Sequence, residues 1–67
     1  MASTRDMIEK FVKNNPECTS KNIKNHLESK DKNISMDSIR QTLRNLYSKW
    51  KTISRRWKDG KYLYKEA

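Results

Sequence analysis

The 67-residue chain has one cysteine, one histidine, one glycine and one proline. A lone cysteine excludes an internal disulfide and is typical of a reducing compartment, so we expect Cys18 to be a small buried residue. His26 has no second His or Cys at ligand spacing, so no metal site is expected. One glycine rules out a glycine-rich phosphate loop, and no Ser, His and Asp arrangement suggests a nucleophile. We therefore expect no enzymatic activity and no cofactor.

Long apolar stretches are also missing, because hydrophobic residues make up only 33% of the chain. No run approaches the roughly 20 residues that cross a bilayer, so we expect no membrane segment. A chain of this length buries only about 60% of its unfolded surface and has room for one small core. Residues 1–67 are therefore predicted to form a single domain.

Acidic residues are scarce in the C-terminal part of the chain. From Arg40 onward there are nine Lys and Arg residues but only Asp59 and Glu66 as acids, so the last 28 residues carry +7 of the net charge of +8. The first 39 residues are nearly neutral. Such one-sided positive charge favours a polyanionic partner, of which nucleic acid is the commonest.

Apolar residues at helical spacing predict three helices, at about residues 4–14, 20–29 and 36–49. A residue able to cap a helix precedes each one: Ser3 or Thr4, then Thr19 or Ser20, then Ser35. The third helix has the clearest two-faced pattern. Its predicted core side is Met36, Ile39, Leu43, Leu46, Tyr47 and Trp50. Its opposite side is polar and could hydrogen-bond to base edges, although a solvated face has the same composition.

Residues 51–65 are predicted to form a two-stranded hairpin that turns at Asp59-Gly60. A two-residue loop and a three-residue loop with a bulge at Gly60 both fit, and the choice decides which aromatic side chains face inward. A small domain needs aromatic residues in its core, so we expect Trp57, Tyr62 and Tyr64 to pack there. Stacking on unpaired bases is the other use of these three rings.

The predicted order of elements resembles the winged helix-turn-helix family of DNA-binding domains over nearly the whole chain. The matching segments are Cys18-Thr19-Ser20, Ser35-Met36-Asp37-Ser38-Ile39-Arg40-Gln41-Thr42-Leu43, Ile53-Ser54-Arg55-Arg56 and Gly60-Lys61-Tyr62-Leu63-Tyr64. The implied fold is α+β and mostly helical: a three-helix core with a C-terminal two-stranded wing. The resemblance also implies that the third helix reads DNA and that Cys18-Thr19 lies as a short strand beside the wing.

Carried over by position, the resemblance implies two sets of DNA-contacting residues. The base-reading set is Ser38, Gln41, Thr42, Arg44 and Asn45. The set for the DNA backbone, or for contacts of the wing, is Ser20, Lys21, Lys49, Arg55, Arg56, Lys58 and Lys61. Helix N-termini and cationic side chains are the usual donors to phosphate.

The expected function is sequence-specific binding of double-stranded DNA, as a transcription regulator or recombination directionality factor of a virus or mobile element. A protein docking module and a non-specific binder of single strands or RNA are the alternatives. The sequence leaves open a homodimer or cooperative assembly on DNA. The expected location is the cytoplasm, beside the host nucleoid, or the nucleus in a eukaryotic host.

Overall fold

A computed structural model describes residues 3–67, so Met1 and Ala2 of the predicted domain lie outside the described residues. Three helices are followed by a hairpin: α1 (Thr4–Asn14), α2 (Ser20–Ser29), α3 (Met36–Ser48), β1 (Ile53–Lys58) and β2 (Lys61–Glu66). The predicted fold class is confirmed, and the layout is consistent with a winged helix. The helix boundaries agree with the predicted ones to within one residue. The hairpin begins two residues later than predicted and ends one residue later.

Each helix begins at a side chain that accepts a hydrogen bond from the first turn. Ser3 rather than Thr4 caps α1, Thr19 rather than Ser20 caps α2, and Ser35 caps α3. At α2 the cap is reciprocal, because the Asn22 side chain also accepts from the Thr19 backbone N–H at 3.0 Å. Such caps satisfy donors that have no partner within the helix, typically worth about 1 kcal/mol each.

The hairpin is closed by a two-residue loop, which settles the register that the sequence left open. Lys58 pairs with Lys61, and the two residues between them, Asp59 and Gly60, both have positive φ (50° and 80°). Positive φ at both positions is the type I′ turn, whose twist matches that of the flanking strands. Cys18 pairs with β2 through a single bridge rather than a strand, because its backbone exchanges two hydrogen bonds with Tyr64 at 2.8 and 3.1 Å.

The core lies where the three helices meet the inner face of the hairpin. It consists of Ile8, Val12, Cys18, Ile23, Leu27, Ile39, Leu43, Leu46, Ile53 and Tyr64. Cys18 is buried as expected, and the pKa of its thiol is raised by that burial. No polar or charged residue is buried in the described part of the chain. No helix within residues 3–67 is long and apolar enough to cross a membrane.

Four aromatic side chains that were predicted to be in the core lie at the surface instead. Tyr47 is 39% exposed, Trp50 40%, Trp57 64% and Tyr62 37%. The core is already filled by smaller aliphatic residues, and Tyr64 is the one hairpin aromatic that enters it. Met36, also predicted on the core side, is only partly buried. Three of these four rings make cation–π contacts, Tyr47 and Tyr62 with Arg55 and Trp50 with Arg5 and Lys49.

Candidate nucleic-acid interface

An open groove of about 450 Å³ runs between the start of α2, one side of α3 and the inner face of the hairpin. We call it the cationic groove. It is lined by Thr19, Ser20, Arg40, Arg44, Arg55, Trp57, Gly60, Lys61, Tyr62 and Tyr64. Four of these residues are cationic and none is acidic. Its walls therefore present positive charge and aromatic rings together.

Helix α3 supplies two of the cations, because Arg40 and Arg44 are four residues apart and lie one turn apart on the same side. Two like charges at this spacing repel each other slightly and so weaken the helix. Within residues 3–67, neither Arg40, Arg44 nor Lys61 takes part in an ion pair. Their charges are therefore not neutralised by an acid in that part of the chain.

Arg55 makes two cation–π contacts with other residues of the chain. Its guanidinium carbon lies 4.5 Å from the ring centroid of Tyr47 on α3 and 4.2 Å from that of Tyr62 on β2. Cation–π contacts of this kind contribute about 0.5–2 kcal/mol each. The contact with Tyr47 joins the hairpin to α3 beside the cationic groove, whereas the contact with Tyr62 lies within the hairpin.

Trp57 and Tyr62 form the aromatic edge of the cationic groove. They are directly opposite each other in the hairpin, with ring centroids 5.0 Å apart in an edge-to-face arrangement. An aromatic side chain buries about 150–250 Å² in a core, so at roughly 25 cal/mol per Å² the exposure of Trp57 forgoes about 2–4 kcal/mol of burial. A ring left in water at that cost is a candidate contact residue.

The hairpin separates the predicted wing residues onto two faces, because side chains alternate along a strand. Arg55 and Trp57 line the cationic groove, whereas Arg56 lies on the opposite face and Lys58 is not among the lining residues. Arg56 forms an exposed ion pair with Glu17 at 2.8 Å, and this hydrogen bond lowers the pKa of the Glu17 carboxyl. Of the predicted backbone-contacting residues, the structure gathers Ser20, Arg55 and Lys61 in the groove.

The predicted base-reading residues spread across the outer side of α3. Gln41 and Arg44 are exposed and Asn45 is half-buried, and their side chains make no hydrogen bond within residues 3–67. Ser38 and Thr42 lie on the flank away from the hairpin. The Thr42 hydroxyl donates to the Ser38 carbonyl at 3.0 Å, so it is already engaged. Arg44, by contrast, belongs to both α3 and the groove.

The two remaining predicted lysines lie outside the cationic groove. Lys21 is exposed in the first turn of α2, next to Ser20. Lys49 follows α3 and places its ammonium 5.2 Å from the ring centroid of Trp50. Arg5 lies over the same ring at 4.7 Å. Arg5 and Lys49 thus both contact Trp50 after the end of α3, and Arg5 is also paired with Asp6 at 3.6 Å.

Sequence reasoning missed Arg40 and the outward placement of Trp57 and Tyr62. Arg40 carried a signal, since it precedes Arg44 by one helical turn. The rings of Trp57 and Tyr62 carried no such signal, because the face on which they lie depends on the hairpin register. No group of three or more potential metal ligands occurs within residues 3–67.

Comparison with known proteins found no protein-family model, no curated protein and no solved structure that matches this chain.

Proposed function

We propose that the protein binds double-stranded DNA sequence-specifically, as a member of the winged helix-turn-helix family. The observation that carries the proposal is the cationic groove, whose lining includes Arg40, Arg44 and Lys61 and no acidic residue. A duplex presents phosphates on both sides of a major groove wide enough to admit a helix. Helix α3 would enter that groove while the hairpin lies against the adjoining backbone.

The outer side of α3 supports base reading. Gln41 and Asn45 carry amides that pair bidentately with adenine, and Arg44 carries the fork that pairs with guanine. Their side chains have no partner within residues 3–67, so binding would not first require an internal hydrogen bond to break. A good bidentate pair discriminates between bases by about 1–3 kcal/mol.

The tip of the hairpin supports a phosphate contact. Lys58 and Lys61 are directly opposite each other beside the turn. Like charges in this arrangement destabilise a hairpin. A folded domain without a binding role would be more stable without this like-charge pair. A phosphate between the two ammonium groups would turn the repulsion into attraction.

In the cell we propose a role in transcription regulation or in directing recombination for a virus or mobile element. The protein would act in the cytoplasm on the host nucleoid, or in the nucleus of a eukaryotic host. A pair of copies related by a two-fold axis, or copies assembled cooperatively, would extend the site to an inverted or direct repeat.

Selection of bound duplexes from a random pool, followed by fluorescence anisotropy with the selected site, tests the proposal. If about five or six phosphates are neutralised, log affinity falls against log salt with a slope of roughly −5. Arg44→Ala should lower affinity for the selected site by about 5- to 150-fold and for random duplex much less. Lys10→Ala, which removes one exposed charge from α1, is the matched control. Equal losses for both variants on both duplexes would refute base reading.

A second candidate is binding of single strands or RNA without sequence preference, and the exposure of Trp57 is what favours it. Base stacking on aromatic rings is the main attraction in such binders. Competition decides between the two candidates: unlabelled single strand displacing the duplex at lower concentration than unlabelled duplex would favour the second.

A further inference from the structure

We infer that the cationic groove is a binding site for one unpaired nucleotide, whose base stacks on Trp57. The inference rests on the proposed DNA binding and deepens it: duplex DNA carrying an extrahelical nucleotide is the preferred ligand over fully paired duplex. It starts from the position of Trp57, which the fold leaves 64% exposed beside unpaired cations.

Trp57 is held in place before any ligand arrives. It lies one residue before the pair that flanks the turn, and Tyr62 supports it from across the hairpin at 5.0 Å. Tyr62 in turn contacts the Arg55 guanidinium at 4.2 Å. An aromatic ring fixed in this way loses little conformational freedom on binding, which favours affinity.

The groove beside Trp57 supplies what the rest of a nucleotide requires. Arg40, Arg44 and Lys61 offer charge to a phosphate, and Thr19 and Ser20 line the same space. The volume of about 450 Å³ lies within the 300–1,000 Å³ range of small-ligand sites. The site therefore combines a ring for the base with cations for its phosphate.

Stacking selects an unpaired base because both faces of a paired base are covered by its neighbours in the duplex. A protein ring reaches a base face only when that base leaves the stack. A bulged base is already out of its pair, so binding it requires less of the free energy of unstacking. In a fully paired duplex the hairpin would be limited to backbone contacts. The preference should therefore depend on the base itself and not only on the flexibility of the bulge.

The test compares three DNAs that share one duplex sequence: fully paired, with a single extrahelical thymidine, and with an abasic residue at that position. Anisotropy at fixed salt should show the thymidine bulge bound at least about 5-fold tighter than the other two. Trp57→Ala should remove this preference, and Trp57→Phe should restore most of it. An abasic bulge bound as tightly as the thymidine bulge would overturn the inference.

Tryptophan fluorescence gives a second readout, since Trp57 is the one tryptophan left in a Trp50→Phe variant. Stacking should quench that fluorescence with the bulged DNA and much less with the paired DNA. Equal affinity and equal quenching for bulged and paired duplex would overturn the nucleotide site but leave duplex binding intact. Absence of duplex binding even at low salt, with quenching by an oligothymidine, would refute the proposed function and retain the stacking site. Absence of both would refute both.

Discussion

The guanidinium carbon of Arg55 in the hairpin lies 4.5 Å from the ring centroid of Tyr47 in α3. This contact joins the hairpin to α3, and the same guanidinium carbon lies 4.2 Å from the ring centroid of Tyr62 in β2. Arg55 therefore contacts one ring of α3 and one ring of the hairpin, and Arg55 and Tyr62 both line the cationic groove.

Replacing Arg55 tests this link, because Lys keeps the charge but lacks a planar group to stack on two rings. Arg55→Lys should lower the free energy of unfolding by about 0.5–2 kcal/mol and speed hydrogen exchange of β1 amides. Arg5→Lys is the control, since Arg5 lies over Trp50 outside the groove. Unchanged exchange in β1 of Arg55→Lys would show that Arg55 does not hold the hairpin.

Lys58→Glu should change the stability of the fold and its affinity for duplex DNA in opposite directions. A Glu opposite Lys61 replaces a repulsive cross-strand pair by an attractive one, so stability should rise by about 0.2–1 kcal/mol. Duplex affinity should fall, and the salt slope should become shallower by about one. Urea titration and anisotropy measure the two effects, with Lys10→Glu as the equal change of charge on α1. Lower stability together with unchanged affinity would contradict the role given to the hairpin tip.

Much of the fold was predictable because its signals are local. Ser35 before an apolar spacing predicts α3, and Asp59-Gly60 predicts the turn. The surface position of Tyr47 and Trp57 was not predictable in the same way. Which side chains occupy a small core depends on how all of them compete for it, and the aromatic faces of the hairpin depend on a register that two loop lengths allow.

Some residues of the candidate site were also predictable from local signals in the sequence, and others were not. Gln41 and Arg44 were correctly expected to be exposed, because helical periodicity alone decides which side of α3 is polar. That Arg40 and Trp57 line one groove required the packing of the hairpin against α3. Arg56 was grouped with Arg55 from the sequence, but successive residues of a strand face opposite ways.

Gly60→Ala should destabilise the hairpin through the backbone alone. Gly60 has φ +80°, and a Cβ added there would meet nothing within 4 Å. The strain of that conformation for an L residue should lower the free energy of unfolding by about 1–2 kcal/mol. Asp59→Asn is the matched control in the same turn, because Asn tolerates positive φ. Equal stability of Gly60→Ala and the parent protein in urea would argue against the type I′ turn.

Alkaline pH should weaken the fold. Burial raises the pKa of the Cys18 thiol and of the Tyr64 hydroxyl. The unfolded chain therefore loses these protons first, so stability is full below about pH 9, the ordinary thiol value, and declines as the pH rises through the folded-state values. Urea titrations at pH 7 and pH 10 should show the decline, and Cys18→Ala should reduce it. Stability that rises between these pH values would contradict this account.

Backbone amide chemical shifts of the ¹⁵N-labelled protein, followed during titration with a selected duplex, show which surface of the protein contacts DNA. The largest changes are expected at Gln41, Arg44, Asn45 and Lys61, with small changes across α1. Changes concentrated on α1, with α3 and the hairpin unaffected at saturation, would contradict that expectation.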